Sequence, residues 1–181
     1  MPDDPLDAAV ARMLEGDEGA FREVYRSVQP ALLRYLTSLV GVDDAEDVAA
    51  EGWAQAVTRL DDFSGGGDGF RAWLTTICRN RAIDHLRRAQ RRPSRGLDET
   101  DDWTSETDVA EQVVGHVRAQ EALDLIATLP VDQREAVMLR VVLGFDAATA
   151  ARILGKRPGA VRVASHRGLK TLARRLGPDT D

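Results

Sequence analysis

Arginine, serine and histidine side chains recur near the end of the chain with the spacing of one helix face. Residues 152–175 contain eight Lys or Arg and no acidic residue, and a turn around Gly155 divides them into two helical stretches. Helix-turn-helix proteins present the second such helix to base edges in the major groove of DNA. A tight corner in any helical bundle has similar proportions, but a merely solvated helix usually mixes its charges. The side chains predicted to face outward are Arg162, Ser165, His166 and Arg167, and those predicted to pack inward are Ala160, Val161, Ala164, Leu169 and Leu172.

A second basic stretch follows a glycine-rich run in the first half of the chain. Phe63 precedes Ser64–Gly69, which contains four glycines, and residues 71–95 contain eight arginines and one acidic residue. An aromatic side chain, a flexible loop and a cationic track are typical of proteins that bind unstacked single strands. The alternative interpretation is a solvated helix face, with Phe70 and Trp73 in the core. The polar face is predicted to contain Thr76, Asn80, Asp84 and Arg87, flanked by Arg79, Arg81 and Arg88.

An acidic cluster spans Asp43–Glu51. Paired carboxylates can perform acid–base catalysis or bind Mg²⁺. No nucleophile, phosphate-binding glycine loop or matching third ligand is near, and acids in a first helical turn already suit the helix dipole. We therefore expect no enzyme activity, no metal and no cofactor.

Helices must position all of these residues, because apolar side chains recur at steps of three and four and no strand-like alternation is present. The predicted class is all-α, with two small domains. We expect a first module over residues 1–93, a flexible acidic linker over 94–116 and a second module over 117–181. The predicted helices are Leu6–Glu15, Glu18–Val40, Asp43–Leu60, Phe70–Gln90, a stretch from Val117 to Leu129, a stretch from Asp132 through Val142, Asp146–Ile153 and Pro158–Leu176. Asp132 with Glu135 resembles a capping box.

Composition restricts the setting of the protein. The net charge of −6 is unevenly distributed, in the order basic, acidic, basic. No apolar run is long enough for a membrane span, and the acidic start lacks a signal peptide's positive region, so we expect a cytoplasmic protein. The one cysteine, Cys78, is expected to be buried and inert.

The order of these motifs resembles a known family. The residues that carry the resemblance are Asp44–Glu51, Phe70–Ile77 with Arg79-Asn80 and Ile83-Asp84, Leu129-Pro130, and Gly159–Arg162. In this order and spacing they look like the extracytoplasmic-function sigma factors, across nearly the whole chain. The resemblance implies that the first module is sigma region two and the second is region four, without an intervening region-three domain.

That resemblance also implies partners and roles. Core RNA polymerase and promoter DNA are the expected partners, an anti-sigma factor is a further one, and no membrane is involved. The polymerase would be bound by Asp44, Asp47 and Glu51. The first module would melt the −10 element and the last helix would read the −35 element, so the DNA-binding residues would be Phe63, Ser64, Asn80, Arg87, Arg88, Arg157, Arg162, Ser165, His166, Arg167 and Lys170.

The chain departs from the family pattern at Ala50, Gly52-Trp53, Ala164 and Gly168-Leu169. Its loop after Phe63 is about two residues longer than the loop of typical family members. Two alternatives remain open at this level. A free-standing helix-turn-helix regulator would not bind core polymerase. A helical metal-dependent hydrolase using Asp43–Glu51 would retain activity without residues 117–181.

Overall fold

The computed structural model describes residues 4–91 and 120–176, and both parts are helical. The acidic linker and the domain boundaries around it fall outside the described residues. The first module contains α1 (Pro5–Leu14), α2 (Glu18–Val40), α3 (Val42–Thr58), a short 3-10 turn (Leu60–Asp62) and α4 (Gly67–Arg91). The second contains α5 (120–127), α6 (Val131–Val137) with a π-helical turn (Met138–Val142), α7 (Ala147–Leu154) and α8 (Pro158–Leu176).

Aspartates begin three of these helices. The carboxylate of Asp17 accepts the backbone N–H groups of Gly19 and Ala20, which otherwise lack partners in a first helical turn. Asp146 accepts the N–H of Thr149 at 2.7 Å, and Asp4 that of Leu6 at 3.0 Å. These backbone hydrogen bonds lower the pKa of Asp17 and of Asp146. The helix starts are therefore set by local chemistry.

An aromatic cluster forms much of the first core. The ring centre of Trp53 lies 5.8 Å from that of Phe21 and 6.0 Å from that of Phe70. The ring centres of Phe70 and Phe63 are 5.5 Å apart. Gly52 allows α3 to approach α4, because a Cβ at this position would lie 2.2 Å from the sulfur of Cys78. Burial raises the pKa of Cys78 to about 12, so the thiol stays protonated, as an inert cysteine should.

A close helix crossing also organises the second module. A Cβ at Gly168 would lie 2.7 Å from Val137, so any larger residue there would force α6 or its side chains to shift. Gly155 ends α7 with φ 64°, a left-handed conformation that suits glycine, and Pro158 begins α8. This helix, turn and helix match the sequence prediction.

Two local predictions were wrong. Asp132 and Glu135 form no capping box, because α6 has no side-chain cap; Asp132 instead pairs with Lys156, and Glu135 is buried. The expected six-residue glycine loop is shorter, because Gly67, Asp68 and Gly69 already form the first turn of α4.

Candidate nucleic-acid interface

The exposed face of α8 is basic. Arg162, His166, Arg167 and Lys170 are exposed there, and Arg157 is exposed in the preceding turn. Within the described parts of the chain, the salt bridges involve none of these five residues. Their charges and ring nitrogens therefore remain available to phosphates and base edges.

Ser165 was predicted to face outward, and this orientation is wrong. The inward stripe of α8 is Val161, Ser165, Gly168 and Leu172, at steps of four, three and four, and Ser165 is only 6% exposed. Ala160 and Leu169, which were expected inside, are exposed instead. Gly168 on this stripe gives the close contact with α6, since a Cβ there would lie 2.7 Å from Val137.

The first module presents a polar surface at α4 and the loop before it. Asn80, Ser64, Arg87 and Arg88 are exposed. Arg87 lies 3.9 Å from Asp84, a solvent-exposed pair. Phe63 is only partly accessible, because its ring packs 5.2 Å from that of Trp73 and 5.5 Å from that of Phe70. A base stacked near this loop would therefore meet an aromatic ring that the core already holds in place.

The main role of the glycines in this loop is to let the chain pass close to α1. Only Gly65 among them has positive φ, at 149°. A Cβ at Gly66 would lie 2.5 Å from the Asp7 carboxylate, and one at Gly67 would lie 2.6 Å from Leu6. Asp7 also accepts the backbone N–H of Gly67. Sequence reasoning missed this role of α1, for which the only local signal is a single acid, Asp7, in the first turn of the helix.

The acidic face of α3 is exposed to solvent. Asp47 and Glu51 are exposed and one helical turn apart. Asp44 is half-buried and lies 3.0 Å from Nε2 of His85 on α4. Among residues 4–91 and 120–176, no group of His, Cys, Asp or Glu is arranged to hold a metal ion.

Several arginines predicted on the outer face of α4 are engaged within the protein. Arg79 forms a bidentate pair with Glu135 of the second module, with its Nε at 2.7 Å from Oε1 and its Nη2 at 3.2 Å from Oε2. Arg81 donates to Gln55. The prediction that Arg79 lies on the solvated face was wrong, since its side chain is only 16% exposed.

Comparison with known proteins identifies the family. Models of Sigma-70 region 2 and Sigma-70 region 4 match residues 24–92 and 119–172. SigD of Mycobacterium tuberculosis (strain ATCC 25618 / H37Rv), an ECF RNA polymerase sigma factor, is 34% identical over 180 residues, covering 95% of this chain and 84% of that protein. This chain belongs to the ECF RNA polymerase sigma factors. ShbA of Streptomyces griseus, another ECF RNA polymerase sigma factor, is 33% identical over 177 residues. The aligned region covers 92% of this sigma factor and 93% of ShbA.

Solved structures agree with the architecture of this sigma factor. CnrH, in complex with the cytosolic domain of CnrY, shares the fold with a TM-score of 0.67 at 24% identity, covering 98% of this chain and 100% of that one. RpoE of Bartonella quintana, in complex with the anti-sigma factor NepR, has a TM-score of 0.66 at 26% identity over 88% of this chain and 98% of that one. By the family models, the first module is sigma region 2 and the second is the DNA-binding region 4, and the protein acts in transcription initiation.

Proposed function

We propose that this sigma factor binds core RNA polymerase through α3, opens the −10 element with α4 and its loop, and reads the −35 element with α8. The observation that carries the proposal is the presence of two exposed polar and basic faces on separate modules. A protein that only reads duplex DNA needs one such face. Its role is to direct the polymerase, and it performs no catalysis of its own.

Docking on core polymerase is assigned to α3. Asp47 and Glu51 are exposed on one face, and both carboxylates are available for basic side chains of a partner. Asp44 is held beside His85 at 3.0 Å, so it would contribute from the edge of this surface. Docking here leaves the exposed residues of α4 and α8 available for DNA.

Strand opening is assigned to Phe63, Ser64 and Asn80, with Arg87 and Arg88 on the phosphates. Extracting a base from the duplex costs a few kcal/mol, which contacts to the flipped base have to offset. The amide of Asn80 offers both a donor and an acceptor to a base edge. Phe63 and the adjoining loop lie next to the same helix, α4.

Readout of the −35 element is assigned to Arg162, His166 and Arg167, with Arg157 and Lys170 on phosphates. An arginine can bind guanine through two parallel hydrogen bonds, which discriminates between base pairs. The buried Ser165 is assigned to the packed side of α8 and not to base contact, because almost none of its surface is accessible.

An anti-sigma factor is a further expected partner. The support is the similarity to RpoE of Bartonella quintana, which was solved in complex with an anti-sigma factor. In the described part of this chain, no helix is long and apolar enough to span a membrane. We expect the protein to act where the polymerase acts, in the cytoplasm.

Run-off transcription with purified core polymerase and a genomic promoter library tests the proposal. We expect transcripts that appear only when this protein is added and that share two sequence elements upstream of their start sites. Absence of any transcript dependent on the protein would contradict the proposal.

A further inference from the structure

The first turn of α4 depends on a side chain from α1. Gly66 occupies the N-cap position of α4, and its carbonyl accepts the N–H of Phe70 at 2.9 Å. A glycine has no side chain that could bind the free N–H groups of the first turn. The carboxylate of Asp7 accepts the N–H of Gly67 instead. The cap of this helix therefore comes from a residue 60 positions earlier in the chain.

α1 is itself well fixed and lies directly against the loop. The carboxylate of Asp4 accepts the N–H of Leu6 at 3.0 Å, and the inner face of α1 is buried in the core. Gly66 and Gly67 both touch this helix, since a Cβ on either would collide with the side chain of Asp7 or Leu6. Asp7 is thus presented to the start of α4 by a rigid element.

The loop before α4 is held at both of its ends. At one end, the ring centre of Phe63 lies 5.2 Å from that of Trp73 in the aromatic cluster. At the other end, Asp7 holds the N–H of Gly67. Residues 64–66 connect these two fixed points, and a segment this short has few conformations open to it. Release of the second point would give the loop a free end.

A fixed loop suits the strand-opening role proposed for Phe63, Ser64 and Asn80. Extraction of a base costs free energy that contacts to the flipped base have to offset. A loop that is ordered before the base arrives loses less conformational entropy on binding, so more of the contact energy remains. Without the hold on Gly67, all three side chains would still be present, but the loop that carries two of them would move more freely.

We propose that Asp7 is a positioning residue for promoter opening, which fixes the first turn of α4 and the loop before it through the N–H of Gly67. α1 lies outside residues 24–92, the segment that matches Sigma-70 region 2. Asp7 acts through the backbone of its neighbour and needs no contact with DNA. The effect on opening rests on the proposed function, whereas the hold on Gly67 rests only on the contacts between α1 and α4.

Amide hydrogen exchange in the free, full-length protein tests the hold on Gly67. Asp7→Ala removes the acceptor, whereas Asp7→Asn keeps a side-chain oxygen that can accept the same N–H. We expect exchange of the Gly67 amide to become about tenfold faster in Asp7→Ala and to stay within about threefold in Asp7→Asn. The matched control is Glu15→Ala, which removes an exposed carboxylate at the other end of α1 and should change nothing. Unchanged exchange in Asp7→Ala would overturn the proposal.

Binding of single-stranded −10 DNA tests the consequence for promoter opening. Core polymerase carrying each variant is titrated with non-template oligonucleotides that present each of the four bases in turn at each −10 position. In Asp7→Ala we expect the affinity for the preferred oligonucleotide to fall about tenfold and the preference among bases to flatten, because a mobile loop fits every base less well. Core binding and −35 duplex affinity should stay within about twofold, because Asp7 is remote in sequence from the residues assigned to both.

The base preference separates positioning from general stability. A variant that is merely less stable has less folded protein, which weakens binding to all oligonucleotides alike and leaves their ratios unchanged. Asp7→Asn should keep both the affinity and the base preference of the wild type. Wild-type base preference in Asp7→Ala, or equal losses in Asp7→Ala and Asp7→Asn, would overturn the positioning role.

Gly66→Ala disturbs the same contact from the other side. Its Cβ would lie 2.5 Å from the Asp7 carboxylate, which then has to leave the N–H of Gly67, and the φ of Gly66 is not positive, so alanine fits the backbone. We expect the same loss as in Asp7→Ala, and no further loss in the double variant, because both changes remove one interaction. Additive losses in the double variant would overturn the proposal.

Asn80→Ala distinguishes failure of this inference from failure of the proposed function. If Asn80→Ala loses affinity for the −10 strand while Asp7→Ala keeps it, the proposed function stands and the positioning role fails. If both variants bind the −10 strand like the wild type, strand opening by this surface fails as well. Exchange of the Gly67 amide in the free protein still decides in that case whether Asp7 holds the loop.

Discussion

The helices α4 and α8 are both rich in arginine and poor in acid, but they use their charges differently. On α4, Arg71, Arg79 and Arg81 bind acceptors within the protein. On α8, Arg162 and Arg167 are exposed. Composition alone would make both helices DNA-binding faces of equal extent. Half of the arginines of α4 are engaged within the protein, so the DNA-binding role proposed for this helix rests on Asn80, Arg87, Arg88 and the adjoining loop.

The largest expected effect is the loss of core polymerase binding, because without the polymerase neither α4 nor α8 is brought to the promoter. Reversing the charge of Asp47 and Glu51 to lysine should weaken core polymerase binding by at least about a hundredfold, because unlike charges across an interface become like charges. Co-purification and fluorescence titration with core polymerase measure this loss. Glu15→Lys with Glu18→Lys changes the net charge equally at another exposed site and should bind normally. Wild-type affinity of the α3 variant would exclude α3 as the docking surface.

Asn80→Ala should separate the role of α4 from that of α8. We expect core binding and −35 duplex affinity to stay within about twofold, while open-complex formation on a matched promoter is lost. A promoter already mismatched across the −10 region should restore much of the activity, because the cost of unpairing is then removed in advance. Permanganate reactivity of −10 thymines on both templates is the measurement. Normal reactivity on the matched template would remove α4 from strand opening.

Alanine substitutions on α8 should reveal sequence readout. Loss of Arg162 or Arg167 should cost about 1–3 kcal/mol of discrimination between the specific and a random duplex, or roughly 5- to 150-fold. Arg174→Ala, on the last turn of the same helix, should weaken both duplexes equally if that side chain contacts only phosphate. Duplex titrations at a fixed salt concentration compare the three variants. Equal losses on both duplexes for all three would show that α8 binds DNA without reading it.

The smallest expected effect is a difference in the free energy of unfolding between glycine variants on the packed side and on the exposed side of α8. Gly168→Ala forces a Cβ to 2.7 Å from Val137, and we expect about 1–3 kcal/mol of destabilisation. Gly159→Ala meets nothing within 4 Å on the same helix and should be neutral or stabilise by up to about 1 kcal/mol. Urea unfolding of both variants gives the difference. Equal stabilities would mean that α6 and α8 can move apart without cost.

Much of the helical framework is predictable from short stretches of sequence. The bounds predicted for Glu18–Val40 and Pro158–Leu176 agree with α2 and α8. Asp17 caps the first of these, and Pro158 is the first residue of the second, so each start depends on residues next to it. The family assignment is also predictable, since it depends on the order of motifs along the chain, and the comparisons confirm it.

The direction in which a helical side chain points was less predictable where the neighbouring helix decides it. Gly168 lies inside where α6 approaches closely, and Ser165 is buried on the same stripe, but no periodicity of apolar residues reveals that distance. The glycines before α4 similarly serve the close approach of α1, although their composition suggested a long flexible loop.

The sequence by itself determined the helices, the two-module order and the family, because caps, turns and apolar periodicity act within a few residues. Only the tertiary structure decided which charged side chains stay exposed to solvent and which are paired within the protein. Arg79 and Glu135 are 56 residues apart, and each resembles a surface residue in its own helix. They are removed from solvent together because the modules pack against each other. Burial of a charged group is tolerated only where a partner of opposite charge satisfies its hydrogen bonds.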